Sequence, residues 1–297
     1  MTHGRFCRDG HAKRIERGLE RAITFATASG NPAKISQAIR YSVFPGGARI
    51  RPRLCLAVAA ASGDANPAAA DAAATAIELL HCASLVHDDL PCFDDAELRR
   101  GKPSVHSVFG APLAVLAGDA LIVMAFETLA RECISTPDRI APLISTIGRA
   151  VGMPHGIIAG QAWESESEIN LSEYHRAKTA SLFTGATVSG AIAAGASPQQ
   201  WMGLGEALGA AYQVADDLRD SVCDEDEIGK PKGQDVVHNR PNAVAEFGLA
   251  GAVSHLQMLV KNAADSIPDC PGSDMLRQLI MQEAKRLVPK KLALTAA

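Results

Sequence analysis

The stretch SLVHDDLPCFDDAELRRGKPSVH, residues 84–106, places four aspartates and then two arginines directly after an apolar run. That run, from Pro67 to Asp88, is alanine-rich and repeats its apolar residues at intervals of three and four, which predicts a long buried helix. Asp88 and Asp89 close it just before Pro91, at the end where the helix dipole is already negative, so bare charge there is unfavourable. A second acidic stretch, YQVADDLRD at residues 212–220, repeats the pattern. Asp216 and Asp220 stand four apart and share one helix face, with Asp217 adjacent. A solvated acidic surface would account for either cluster alone. Two clusters that each follow directly on an apolar segment, ELLHCASLVH and GAAYQVA, point instead to a bound cation.

Carboxylate oxygens without His or Cys select a hard ion. No compact EF-type loop is present for calcium, whereas magnesium commonly shares a few carboxylates with substrate phosphates. Arg99 and Arg100 in RRGKP supply guanidinium forks that match phosphate oxygens. The pattern reads as aspartates holding magnesium, magnesium holding a diphosphate, and arginines holding phosphate oxygens. The absence of a Walker loop and of GxGxxG argues against a nucleotide. No GxSxG and no Cys/His pair signals a side-chain nucleophile.

With 297 residues, 47% of them hydrophobic, the chain can build one large core. A net charge of -4 gives no ground for nucleic acid or an anionic membrane surface as a partner. The cysteines are scattered, with neither CxxC nor zinc spacing, as in a reducing compartment. The segment MTHGRFCRDGHAKR lacks the apolar core of a signal peptide. The longest apolar runs, such as APLAVLAGDALIVMAF, read as too short to span a bilayer. A soluble cytoplasmic protein with no membrane span is expected.

The predicted fold class is all-α, with helices near 11–28, 33–43, 50–62, 67–88, 112–132, 138–164, 171–194, 198–221, 241–264 and 273–288, and with no strand. NPAK at Asn31, NPAAAD at Asn66 and SPQQW at Ser197 each set an N-cap residue before a proline at the first helical position. Pro154 is expected to kink its helix. No Ser/Gly-rich linker divides the chain, so 1–297 reads as a single domain, and the charged, glycine-bearing segment 222–240 as a mobile lid.

Taken together these residues resemble the trans-isoprenyl diphosphate synthases. That family's DDxxxxD and RRG are matched by Asp88-Asp89-Leu-Pro-Cys-Phe-Asp94 and Arg99-Arg100-Gly101, and its DDxxD by Asp216-Asp217-Leu-Arg-Asp220. GGARIRP at Gly46, HCASLVHDD at His81, GQAWE at Gly160, HRAKTASLF at His175, YQVADD at Tyr212 and GKPKGQD at Gly229 follow in the family's order. The wording looks most like that of the geranylgeranyl diphosphate synthases of purple photosynthetic bacteria. The resemblance implies a single-domain antiparallel helical bundle around a deep central cavity, the isoprenoid synthase fold, in a homodimer. It implies condensation of isopentenyl diphosphate with an allylic diphosphate (dimethylallyl, geranyl or farnesyl), in a pathway such as carotenoid biosynthesis. Magnesium, with manganese as a substitute, falls to Asp88, Asp94 and Asp216, assisted by Asp89, Asp217 and Asp220. The allylic diphosphate falls to Arg99, Lys178, Thr179, Gln213 and Lys230, and isopentenyl diphosphate to Arg51, His81 and Arg100.

Short-chain relatives often carry an aromatic five residues before the first motif, a place held here by Ala83, followed by Ser84. Five residues are about 7–8 Å of helix, a little over one prenyl unit. The small residues imply growth past fifteen carbons to twenty, with Phe126 or Met124 as a lower floor. Two departures stand out. Ala48 replaces the lysine of GGKxxR, so one isopentenyl diphosphate contact is missing or comes from Arg49. Glu164 stands where the family often has aspartate. Alternatives are a farnesyl diphosphate synthase, a regulatory subunit of a heteromeric synthase, and a class I terpene cyclase, which lacks the second DDxxD and the RRG. Without the resemblance, His81 and His87 would read as core histidines, Lys178 as a surface lysine, Gln213 as a helix polar residue and Gly46-Gly47 as a turn.

Overall fold

Alanine lets helices approach closely, and the helix that carries the first acidic motif is lined with it. The computed structural model describes residues 3–44, 46–64, 67–168, 170–222, 242–285 and 287. Its elements are α1 (His3–Ala26), α2 (Ala33–Val43), α3 (Ile50–Ala61), α4 (Pro67–Asp88), a hairpin of β1 (Leu98–Arg99) and β2 (Lys102–Pro103), α5 (Val105–Phe109), α6 (Ala111–Glu132) and α7 (Pro137–Val151). There follow α8 (Ile157–Ala162), α9 (Leu171–His175), a π-helical turn (Arg176–Ala180), α10 (Ser181–Ala194), a 3₁₀ turn (Pro198–Trp201), α11 (Met202–Val222), α12 (Ala243–Asp265) and α13 (Ser273–Ala284).

Packing divides the chain into two compact units, 1–147 with 189–196, and 148–188 with 197–297. In the first, α4 is the central element and packs on α1, α2, α3 and α6. Its Ala69, Ala70, Ala73, Ala76, Ile77 and Leu79 are fully buried, against a core that includes Leu56 of α3 and Leu121 and Leu129 of α6. In the second, α11 packs along α12, closing Val214, Leu218, Leu256 and Val260 into one apolar cluster. Phe183 of α10 stacks on Tyr212 of α11 with ring centroids 4.7 Å apart.

Several expectations are corrected. The helix expected over 138–164 ends at Val151 and resumes at Ile157, so the Pro154 region is a break, not a kink. Proline removes an amide donor and disfavours helical geometry in the residue before it, and Gly152 and Gly156 resist little. The helix expected over 171–194 contains the π turn, and that over 198–221 opens on the 3₁₀ turn. The hairpin at 98–103 was not foreseen, nor was α5. Asn31 does not cap a backbone amide: Pro32 holds the cap position, and Asn31 accepts from the Ser36 hydroxyl at 2.5 Å. Ser197 turns its hydroxyl to Gln199 Oε1 at 3.2 Å. Asn66 and residues 223–241 lie outside the described residues, and with them all but the first residue of the segment read as a lid.

The apolar runs are not too short for a bilayer. By length and composition, α4, α6 and α12, with 22, 22 and 23 residues, could each cross one. In α4, 78% of the most apolar window is buried inside the protein, so its hydropathy serves the core. Among the described cysteines Cys55, Cys82 and Cys133 are buried free thiols, while Cys92 is exposed.

Candidate active site

The acidic turn is built by backbone hydrogen bonds that follow directly from the end of α4. The Leu90 amide donates to His87 O at 3.1 Å, Asp94 to Asp88 O at 3.0 Å, Asp95 to Leu90 O at 3.1 Å and Ala96 to Asp89 O at 3.2 Å. Asp94 is thereby folded back beside Asp88. The two aspartates of the pair then part company. Asp89 is buried and accepts both Arg99 Nε, at 2.8 Å, and Arg99 Nη2. Burial pushes its carboxyl up, against the pull of Arg99. Asp88 keeps a side chain 17% exposed, with Oδ2 3.6 Å from Arg99 Nη2. Arg99 is presented by the hairpin, where Arg100 (φ 55°) and Gly101 (φ 73°) form the two-residue loop, a geometry glycine adopts without strain. Tyr41 Oη anchors the hairpin by donating to Pro103 O at 2.8 Å.

Behind this turn lies a nest of arginines. Arg51 Nη1 stands 3.4 Å from His81 Nε2. Burial, then Arg51 and Arg100, push the His81 imidazole well below its usual range, so it is neutral. Arg49 is buried. It donates to Glu78 Oε1 at 2.7 Å, to Glu16 Oε1 at 3.0 Å and to Val43 O at 2.7 Å. Burial pushes the Glu78 carboxyl up, and Arg49 opposes it. Arg49 is therefore committed to the core, which speaks against the second of the two alternatives at Ala48 and leaves the first, a missing contact. The paired glycines make room for guanidinium groups: a Cβ on Gly46 would stand 1.9 Å from Arg49 Cζ, and one on Gly47 2.5 Å from Arg100 Cζ.

In the second unit the π turn carries Lys178 and Thr179. It is pressed onto α8, where a Cβ on Gly160 would come within 2.5 Å of the Lys178 backbone nitrogen. Glu164 Oε1 accepts Lys178 Nζ at 2.5 Å and Tyr174 Oη at 2.7 Å, while Gln161 Nε2 donates to Oε2 at 3.0 Å. Thr179 Oγ1 donates to Gln213 Oε1 at 2.9 Å. Asp216 is exposed and pairs with Arg219 at 2.5 Å, one helical turn on. Asp217 is buried, accepting Gln213 Nε2 at 3.1 Å and the Ala243 amide at 2.8 Å. Each acidic pair thus has one member pinned inward, Asp89 or Asp217, beside one that is less buried, Asp88 partly exposed and Asp216 exposed.

The first unit brings together Arg51, His81, Asp88, Asp89, Asp94, Arg99 and Arg100, with Ala83 buried and Ser84 half-buried one turn back on α4. The second links Thr179, Gln213 and Asp217 by hydrogen bonds, with Lys178 next to Thr179 on the π turn and Asp216 and Asp220 on α11. Lys230 lies outside the described residues. Sequence reasoning missed Glu78 and Tyr174. A lone glutamate inside the alanine-rich run AIELLHCA was the available signal for the first, since such a charge is buried only with a partner. Magnesium fits the donors, which are carboxylate oxygens alone, with two of them closed into one turn. Among the described residues no three His, Cys, Asp or Glu side chains are close enough to hold a metal by themselves. Such an ion would draw on water and substrate oxygens as well, as magnesium commonly does.

A family model described as polyprenyl synthetase matches residues 32–271. The chain belongs to the polyprenyl synthetase family. Among members of that family it is 55% identical to the geranylgeranyl diphosphate synthase of Cereibacter sphaeroides over 281 residues, 95% of this chain and 98% of that one. It is 51% identical to the geranylgeranyl diphosphate synthase of Rhodobacter capsulatus over 276 residues, 93% and 96% of the two chains. Among solved structures, a geranyltransferase from Helicobacter pylori complexed with magnesium and isoprenyl diphosphate aligns with TM-score 0.76 at 29% identity, over 92% of this chain and 96% of that one. The resemblance read from the ordered motifs is borne out, and so is the all-α isoprenoid synthase fold.

Proposed function

We propose that this polyprenyl synthetase condenses isopentenyl diphosphate with dimethylallyl, geranyl and farnesyl diphosphates and delivers geranylgeranyl diphosphate. The observation that carries this reading is the end of α4, where a partly exposed Asp88 adjoins Asp89 locked to Arg99, in a chain 55% identical to a geranylgeranyl diphosphate synthase.

Asp88, Asp94 and Asp216 hold magnesium, with manganese as a substitute, and Asp89, Asp217 and Asp220 assist. Bound there, the ion supplies Lewis-acid stabilisation of charge on the departing diphosphate. Arg99, Lys178, Thr179, Gln213 and Lys230 hold the allylic diphosphate. Arg51, Arg100 and the neutral His81 hold isopentenyl diphosphate, His81 by hydrogen bonding and the arginines by charge. The allylic C1–O bond breaks and the electron pair leaves with diphosphate. The isopentenyl double bond then attacks C1, and the proton lost from the adduct goes to the released diphosphate. No side-chain nucleophile takes part.

The chain works as a single domain, in the cytoplasm, without a membrane span or nucleic acid. It acts as a homodimer, supported by the exposed apolar residues Val115 (41%), Leu116 (53%) and Val123 (66%) along α6. The product's class suits carotenoid biosynthesis. Diphosphate release from farnesyl diphosphate tests the reading. It should require isopentenyl diphosphate and stop with chelator. Release without isopentenyl diphosphate would mark a cyclase, and no release from the purified chain a regulatory subunit.

A further inference from the structure

The first turn of α12 is held by its own cap residue, Asn242, and by one residue of another helix. Its backbone leaves helical geometry at Gly248 (φ 67°, ψ 169°), so the helical piece before that point spans only residues 243–247. So short a helix is not stable on its own. Its leading amides are all partnered. Ala245 and Glu246 donate to Asn242 O at 3.0 and 3.1 Å, and Val244 donates to Asn242 Oδ1 at 2.8 Å. The Ala243 amide donates to Asp217 Oδ2 at 2.8 Å, joining α12 to a residue of α11 26 positions earlier in the chain. Asp217 is 3% exposed, so this charged acceptor works away from water, where such a bond is strong. Its other oxygen accepts Gln213 Nε2 at 3.1 Å, and Gln213 Oε1 in turn accepts Thr179 Oγ1 at 2.9 Å.

We propose that the assistance Asp217 gives is that of a positioning residue and not of a magnesium ligand: its carboxylate clasps the first turn of α12 to α11 and, through Gln213, fixes the orientation of Thr179. Its neighbour Asp216, exposed on the same helix, is left to the metal. The role at Thr179 rests on the proposed binding of the allylic diphosphate there. The clasp itself does not.

Hydrogen exchange on the metal-free, substrate-free protein tests the clasp. In Asp217→Ala the amides of residues 243–247 should exchange about tenfold faster or more, the expected loss for a bond to a charged acceptor, with α11 unchanged. Asp217→Asn keeps a neutral acceptor and should lose protection by only about a few-fold. Should the alanine variant not fold, that smaller loss, confined to 243–247, carries the test. Asp216→Asn should match wild type in exchange. In the active protein Asp217→Ala should raise the Michaelis constant for the allylic diphosphate about tenfold and that for isopentenyl diphosphate less than about twofold. Asp217→Asn should restore most of that loss, with the magnesium requirement unmoved. Wild-type exchange in both Asp217 variants would overturn the proposal. So would a magnesium requirement that rises in Asp217→Asn as it does in Asp216→Asn. A wild type without synthase activity would sink the functional reading but leave the exchange result standing.

Discussion

Arg49 Nη1 donates to Glu78 Oε1 at 2.7 Å, and the two side chains are 4% and 2% exposed. A buried pair of this kind adds little over an apolar pair of the same shape, but removing one partner leaves an uncompensated charge. Glu78→Ala should therefore destabilise the protein by about 3–5 kcal/mol, read as a fall in the urea midpoint. A loss under about 1 kcal/mol would mean that water or another group replaces the carboxylate.

The glycine pair yields a contrast. Gly46→Ala would drive a Cβ into the buried Arg49 guanidinium and should destabilise the fold, whereas Gly47→Ala meets the exposed Arg100, whose flexible end can yield. Gly47→Ala should leave stability within about 0.5 kcal/mol of wild type. Its Michaelis constant for isopentenyl diphosphate should rise several-fold, because Arg100 is displaced. Equal effects of both variants on the melting temperature would contradict the assignment of the two seats.

Acid should weaken the fold through two histidines. Burial, reinforced by Arg14 and Arg53, pushes the His11 imidazole down from 6.5 to about 4, and burial also holds His81 low. Both stay neutral when folded but take up protons when unfolded below pH about 6.5. The unfolded chain then binds more protons, so stability is intact above that pH and declines as pH falls toward 4. His11 alone accounts for about 1.4 kcal/mol per pH unit within the window. Urea midpoints at pH 7 and pH 5 measure this. Wild type should lose stability between them and His11→Gln distinctly less. An equal loss in both would remove His11 from the explanation.

Ala83 is 2% exposed on α4. If the growing chain runs back along this helix from Asp88, Ala83→Tyr should shift the product from twenty carbons to fifteen in a folded enzyme. Unchanged twenty-carbon product would place the pocket elsewhere.

What the sequence revealed and what it hid divide along physical lines. The bounds of α2 and α4 were readable because proline opens each, and because the apolar period stops at Phe44 and at the acidic pair. The π turn at Arg176–Ala180 was not, because no local pattern marks it and the backbone it packs against, at Gly160, lies elsewhere in the chain. The hairpin at 98–103 has strands of two residues, too short for any alternation to register. In the candidate site, the charged residues themselves were plain in the sequence. Their division of labour was not: that Asp89 is locked while Asp88 stays partly open depends on Arg99, ten residues beyond Asp89. The fate of Arg49 depended likewise on Glu16 and Glu78, which no local pattern links to it.

The magnesium assignment predicts that Asp88→Ala and Asp216→Ala each cost several powers of ten in turnover, since each removes stabilisation of charge on the departing diphosphate. Turnover near wild type in either variant would refute that residue's role.

The most direct measurement is the chain length of product formed from radiolabelled isopentenyl diphosphate with each allylic primer, in the presence of magnesium. The expected result is labelled geranylgeranyl diphosphate from dimethylallyl, geranyl and farnesyl primers alike. Product that stops at farnesyl diphosphate, or no labelled product from the purified chain, would contradict it.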